Sequence, residues 1–288
     1  MKKFLTVCLA AGTLVASALG FSACGGGNTL VVYTEAGFAP FEYLSEGKIV
    51  GVDVDIMNQV GEKLGREVVF ENVNFDVIVD AVSEGKLTNV GAAGLSITEE
   101  RKEKVDFSIP YYTASLYVIY KTDGTMAPEI GESTAENGSV IYWDSLAGMS
   151  IGVQGGTTAD IFLSDEIGED WGALYETGAS KTPYTSLSVA VNDIGLNTNV
   201  VIIDELPAKT LVANNDGLSC LPLYYKGETV DEDEAAVDEY AIAVTPGQDE
   251  LLAAINEVLE GLINDVDADG NNGIQRLVMQ HLDLASGN

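Results

Sequence analysis

The sequence predicts an α/β chain built as two successive sheet-and-helix units, and three observations carry that expectation. Short β-rich runs alternate with helical apolar periods along most of its length. The alternation breaks at a polar stretch rich in Gly, Pro and Thr, residues 122–138, and then begins again. About 265 residues follow an N-terminal leader, enough for two modest hydrophobic cores.

The leader comes first. Met1-Lys2-Lys3 precedes an apolar run from residue 4 to 19, and Phe21-Ser22-Ala23-Cys24 supplies a small-residue cleavage site. A charged, an apolar and a small-residue region in that order make an export signal. The apolar run is shorter than the ~20 residues of a spanning helix. Cys24, followed by Gly25-Gly26-Gly27, resembles a bacterial lipobox, with the thiol lipidated as the new amino terminus and Phe21 standing where Leu is usual. With Cys8 inside the signal and Cys24 lipidated, Cys220 is alone and forms no intrachain disulfide.

In the first unit, Leu30-Val31-Val32-Tyr33 reads as a strand. A helix from Asp53 follows, with Ile56, Val60 and Leu64 spaced four apart on one face. Residues 67–71 form a second strand, 76–84 a helix, 89–95 an apolar strand and 115–121 the last strand. The second unit opens with a strand at 150–154, turns through Gly155-Gly156 and enters a helix near Thr157. A helical stretch at 185–194, a strand at 199–204 and a helix opening at Glu205-Leu206-Pro207 come next, with the proline suited to a first turn. The acidic run 231–238 reads as a solvated loop, 240–244 as a strand, and 249–263 and 273–282 as helices.

Composition narrows the chemistry. Removing Lys2 and Lys3 with the leader leaves 12 basic against 45 acidic residues, a net charge of −33, which disfavours nucleic acid and anionic lipid as partners. The mature chain has one histidine, His281, so no histidine triad, thiolate site or zinc spacing can be assembled, and neither cofactor nor metal is expected. Residues Asp265-Val266-Asp267-Ala268-Asp269-Gly270 look like the start of a calcium loop, but Arg276 stands where the bidentate Glu belongs.

Three local constellations remain. In Gly94-Leu95-Ser96-Ile97-Thr98-Glu99-Glu100-Arg101 a strand ends and a helix begins behind a Thr98 cap. Arg101 in that first turn can grip a carboxylate with its fork, or pair on the surface with Glu99 or Glu103. Gly155-Gly156-Thr157-Thr158 frees backbone amides at a positive helix end for an anion, or simply caps the helix. Asp204 closes an apolar strand at the end where α/β sheets take ligands, where it meets an ammonium group or caps the next helix. Together they supply two partners for a carboxylate and one for an amine, the polar pattern of an α-amino acid.

Five stretches then carry a likeness: Phe38-Ala39-Pro40-Phe41-Glu42, Gly51-Val52-Asp53-Val54-Asp55, Ser96 through Arg101, Val105 through Tyr112, and Gly156-Thr157-Thr158. In them the chain resembles the polar amino-acid solute-binding proteins of bacterial ABC importers, family 3, in lipoprotein form. The resemblance implies the two-lobed type II periplasmic-binding-protein fold, with crossover strands near 117–121 and 240–244. Lobe 1 would take 29–118 and 242–288, lobe 2 would take 119–241, and 24–28 would be the anchored linker. It implies a monomer, lipid-anchored outside the membrane, that hands a free amino acid to ABC permease subunits and does no chemistry on it. The ligand carboxylate would meet Arg101, Thr157 and Ser96, and the amine would meet Asp204, Ser96 and the Gly94 carbonyl. Phe38 and Phe75 would sandwich the side chain, with Gln154 and Glu35 completing that pocket and Glu35 leaning toward a basic ligand. A few relatives on this scaffold are prephenate or arogenate dehydratases, which is the alternative.

Overall fold

In the computed structural model, which describes residues 28–286 apart from 125, 135 and 137, two large sheets form, each flanked by helices, beside a small three-stranded sheet of Gly37–Phe38, Glu42–Ser45 and Lys48–Val50. Cys24 and the leader lie outside the described residues. The first sheet runs Glu67–Asn72, Thr29–Thr34, Val90–Gly91, Ala243–Val244, Asp106–Phe107. Its first three strands are parallel, whereas Ala243–Val244 enters from the far end of the chain and is antiparallel to both of its neighbours. The helices Val52–Leu64, Asp249–Asn264 and Gly273–Ala285 pack together on this lobe. Of the four-residue stripe read from the sequence, helix Val52–Leu64 buries Ile56 and Val60 completely and Leu64 in part, with Met57 buried beside them.

The second sheet is centred on Tyr112–Lys121, the longest strand, which pairs antiparallel with Val200–Asp204 on one side and Leu218–Tyr225 on the other. Ser150–Gln154 and Ser180–Tyr184 extend it parallel to Val200–Asp204. The core strand Val200–Asp204 is buried at every position, as its unbroken Val-Val-Ile-Ile run requires when helices cover both faces.

A two-stranded ribbon joins the lobes. Residues 112–115 of the long strand pair antiparallel with Val237–Tyr240, so the chain crosses there once in each direction. The crossings sit a few residues before 117–121 and 240–244, because the apolar run 116–120 is already in the second sheet.

Three other segments differ from the sequence reading. The polar stretch 122–138 is in part a folded extension rather than a linker: Gly131–Ser133 and Gly138–Tyr142 form a hairpin that lengthens the second sheet. Its Tyr142 hydroxyl donates to Asp233 at 2.6 Å, and Tyr224 donates to Glu136 at 2.7 Å. The acidic run 231–238 is likewise not a loop throughout, since Asp233 is buried by that contact and Val237–Tyr240 is the return crossing. The apolar strand expected at 89–95 shrinks to Val90–Gly91, because the chain leaves the sheet to make the turn at Gly94.

In the Asp-rich stretch before the last helix, Asp267 accepts the backbone amides of Asp269 and Asn271, both at 2.9 Å. Arg276 bonds the Asp265 carboxylate and lies 3.7 Å from Asp267, supplying the loop's cation from the chain itself. Among the described residues no cluster of His, Cys, Asp and Glu could hold a metal, and no helix is long and apolar enough to cross a membrane.

Candidate ligand-binding site

Between the lobes lies a tight cavity of about 10 Å3, lined by Glu35, Phe38, Phe75, Gly94 and Ser96 from one side and Gln154, Thr157, Thr158 and Asp204 from the other. It is smaller than the ~300–1,000 Å3 of drug-sized sites. Eight of the nine residues singled out from the sequence thus converge on one cavity.

The ninth, Arg101, does not line it but the neighbouring outer cleft, which shares Phe75 with the cavity. Its guanidinium donates to the Ser96 carbonyl at 2.6 Å and, across the cleft, to the Gly156 carbonyl at 2.8 Å, and stacks 5.6 Å from the Phe75 ring centre. It is 6 % exposed, so the alternative of a surface ion pair with Glu99 or Glu103 does not hold. Thr98 fixes its position, capping the short helix Glu99–Lys102 by accepting the Arg101 amide at 3.2 Å. Burial lowers the Arg101 pKa, and the nearby Asp238, Glu100 and Asp204 charges oppose that shift.

Asp204 also departs from its simpler reading. It occupies the N-cap position of helix Glu205–Ala213 but makes no capping bond, and its Oδ1 is buried without a hydrogen-bond partner. Burial, then the Asp238 charge, pushes its carboxyl well above the ordinary value, with the Tyr240 hydroxyl and Arg101 offsetting part. A buried carboxylate oxygen without a donor is costly unless a cation or a proton meets it. Thr157, in contrast, does cap its helix, accepting the Asp160 amide at 3.3 Å, while its hydroxyl donates to the Gln154 carbonyl at 2.8 Å.

Glu35 also lines the cavity. Burial raises its pKa, and the Gln154 side chain and the Gly37 amide partly offset the rise. The aromatic wall is held by close backbone geometry. Gly94 sits at φ +53°, and a Cβ there would come within 2.8 Å of the Phe38 ring. Gly156 sits at φ +80°, where a Cβ would meet Asp76 of the other lobe at 3.3 Å.

Behind the cavity is a layer the sequence reading missed. Asp53 accepts the Gly94 amide at 3.0 Å and the Tyr111 hydroxyl at 2.5 Å, pinning the turn that faces the ligand space. Glu42, fully buried beside it, has neither oxygen bonded to a donor. Burial, then the Asp53 charge, pushes the Glu42 carboxyl well above its ordinary value, and burial raises the Asp53 pKa to about 6. Thr158 and Asp238 were missed too. Asp238 accepts the Ser96 hydroxyl at 2.6 Å and the Thr158 hydroxyl at 2.5 Å. The signal for Glu42 and Asp53 was present in the Pro-Phe-Glu and Gly-Val-Asp stretches; Asp238 was hidden inside an acidic run.

His281, the single histidine of the chain, is 3 % exposed and structural: its ring lies between the Tyr43 hydroxyl at 3.2 Å and Asp55 Oδ2 at 3.0 Å, tying the last helix to the first.

Two α/β lobes on a two-stranded ribbon, with polar groups converging between them, define a solute-binding protein of the type II periplasmic-binding-protein fold. Residues 30–269 match the bacterial extracellular solute-binding proteins, family 3, and the chain belongs to that family. Among its relatives, the arginine-binding extracellular protein ArtP of Bacillus subtilis is 29 % identical over 227 residues, 76 % of this chain and 79 % of that one. A probable histidine-binding protein of Neisseria gonorrhoeae is 27 % identical over 278 residues, 90 % of each chain. Among solved structures, the amino-acid ABC transporter substrate-binding protein AbpA of Streptococcus pneumoniae, bound to L-arginine, aligns with a TM-score of 0.70 at 26 % identity, covering 90 % of this chain and 96 % of that one. An ancestral arginine-binding protein bound to glutamine aligns at 0.68 and 29 % identity, over 91 % and 99 %. These relatives are binding proteins, which favours solute binding over the dehydratase alternative.

Proposed function

We propose that this protein captures a cationic α-amino acid between its lobes and releases it unchanged to its permease. The chain is the extracytoplasmic solute-binding subunit of an ABC amino-acid importer. The observation that carries the ligand class is the charge arrangement: two carboxyls line the cavity, the buried Asp204 and the half-buried Glu35, with one guanidinium, Arg101, bonded beside it to the Ser96 carbonyl. Two anions and one cation complement a ligand with two cationic groups and one carboxylate.

In this reading Asp204, the Ser96 hydroxyl and the Gly94 carbonyl take the α-ammonium. Arg101 takes the carboxylate with Ser96 and Thr157; only two of its five N–H donors are held by carbonyls. Phe38 and Phe75 flank the aliphatic stem, and Glu35 with Gln154 receives the distal cation. The arginine- and histidine-binding names of the relatives support the basic class, and so does arginine in the AbpA structure. The protein works as a monomer, tethered outside the membrane by acyl chains on Cys24, with lobe 1 spanning 29–111 and 241–286, lobe 2 spanning 116–236, and 112–115 and 237–240 crossing between them.

Calorimetry with L-arginine, L-lysine, L-histidine and L-glutamine tests the ligand class. Burial holds the Glu35 and Asp204 carboxyls high, so a cation arriving beside them expels protons. Binding of the basic amino acids is therefore expected to release protons, seen as a heat that depends on the buffer's ionisation enthalpy. Tighter binding of glutamine than of any basic amino acid would overturn the reading. Ligand recovered chemically unchanged is the expected result; turnover would restore the enzyme alternative.

A further inference from the structure

Asp238 stands on the return crossing, Val237–Tyr240, and so belongs to neither lobe's sheet alone. A single oxygen of its carboxylate, Oδ2, accepts one hydroxyl from each lobe: Ser96 at 2.6 Å from the first and Thr158 at 2.5 Å from the first turn of helix Thr158–Gly168 in the second. The two hydroxyls are themselves 3.4 Å apart. Ser96 is held to the crossing independently, by a bridge to Tyr240 and by the Ile97 amide donating to the Glu239 carbonyl at 2.9 Å. The Ser96 contact is therefore local to the hinge on the lobe 1 side. Thr158 has no such tie to the crossing, and its helix packs on strands of the second sheet. When the lobes swing apart, the Thr158 bond is the one that must break.

We infer that Asp238 is a positioning residue for ligand capture: it latches the closed arrangement by holding Thr158 of the second lobe against Ser96 of the first. The Arg101 bond to the Gly156 carbonyl lies on the same closing surface, and Asp238 is the foremost of the charges that oppose the lowering of the Arg101 pKa by burial. The latch thus also steadies the guanidinium that joins the lobes. A hydroxyl bonded to a carboxylate is among the stronger hydrogen bonds, so the latch biases the open–closed balance before any ligand arrives. Apparent affinity scales with the fraction of molecules already competent to bind. Loss of the latch therefore weakens every ligand by one common factor and leaves their ranking unchanged.

The inference rests on the solute-binding reading but not on which amino acid is bound, and the test separates the two. Asp238→Asn and Thr158→Val are each compared with the unaltered protein, without ligand, by small-angle X-ray scattering. Both variants are expected to show a larger unliganded radius of gyration, which saturating L-arginine returns to the unaltered value. By calorimetry, affinities for L-arginine, L-lysine and L-histidine are expected to fall together by ~10-fold or more, as for loss of one charge-assisted bond. The double variant is expected to lose no more than the weaker-binding single variant, since both remove the same bond. Should Asp238→Asn fold poorly, Thr158→Val tests the latch with the carboxylate in place. Unchanged unliganded scattering in the folded variants, ligand-dependent losses, or fully additive losses in the double variant would overturn the latch. Failure of L-arginine to bind the unaltered protein would overturn the proposed ligand instead, and the unliganded scattering would still decide the latch.

Discussion

In the proposed binding mode Arg101 and Asp204 hold the ligand's carboxylate and ammonium, and each is more constrained than its sequence context suggests. Arg101→Ala removes the one bond to Gly156 that bridges the lobes and, in the proposed binding mode, the partner of the ligand carboxylate. Calorimetry is expected to show a loss of ~3–5 kcal/mol in binding, as for a buried charge stripped of its partner. Arg101→Lys is expected to recover little, because an ammonium cannot reproduce the fork that spans Ser96 and Gly156. Asp204→Asn keeps the shape and removes the charge, so binding of any α-amino acid should weaken by ~10–100-fold. Unchanged affinity in Asp204→Asn would remove the carboxylate from the site.

The elements around the site show what was legible in the sequence. The Arg101 turn, the Thr157 helix start and the Asp204 strand end were readable because capping residues and apolar runs are local signals. Asp53 and Glu42 stood in marked stretches but their role was not readable, and Asp238 was not marked at all, because nothing local identifies the distant partner of a carboxyl; Asp53 meets Gly94 across 41 positions, and Asp238 meets Ser96 across 142. The crossing strand was masked by its acidic neighbours, and the hairpin at 131–142 by its Gly and Thr. Where His281 joins the last helix to the first, His281→Ala leaves the Asp55 and Tyr43 groups without their partner. Denaturant unfolding is expected to show a loss of ~1–3 kcal/mol. Buried acids on the first lobe also give a pH signature. Asp53 has a folded pKa of about 6, against ~3.9 when unfolded, so the folded state holds more protons between those values. Stability is then expected to fall as pH rises from about 4 to about 6 and to level off above, by ~2–3 kcal/mol from this group. Glu42, Glu35 and Asp204 act in the same direction. Melting temperatures across that window, flatter in Asp53→Asn, check the sign.

For the whole molecule, ligand is part of the stability. A ligand present at 100 times its Kd is expected to add ~2.7 kcal/mol, so a thermal-shift series over the amino acids should rank them by affinity. The chain path has a consequence of its own. Lobe 2 is a continuous stretch between the two crossings, whereas the first sheet has Ala243–Val244 as an interior strand, between Val90–Gly91 and Asp106–Phe107. During synthesis the second-formed lobe can therefore finish first. The lobe that begins the chain waits for residues near its end, leaving a gap in its sheet for most of its time on the ribosome.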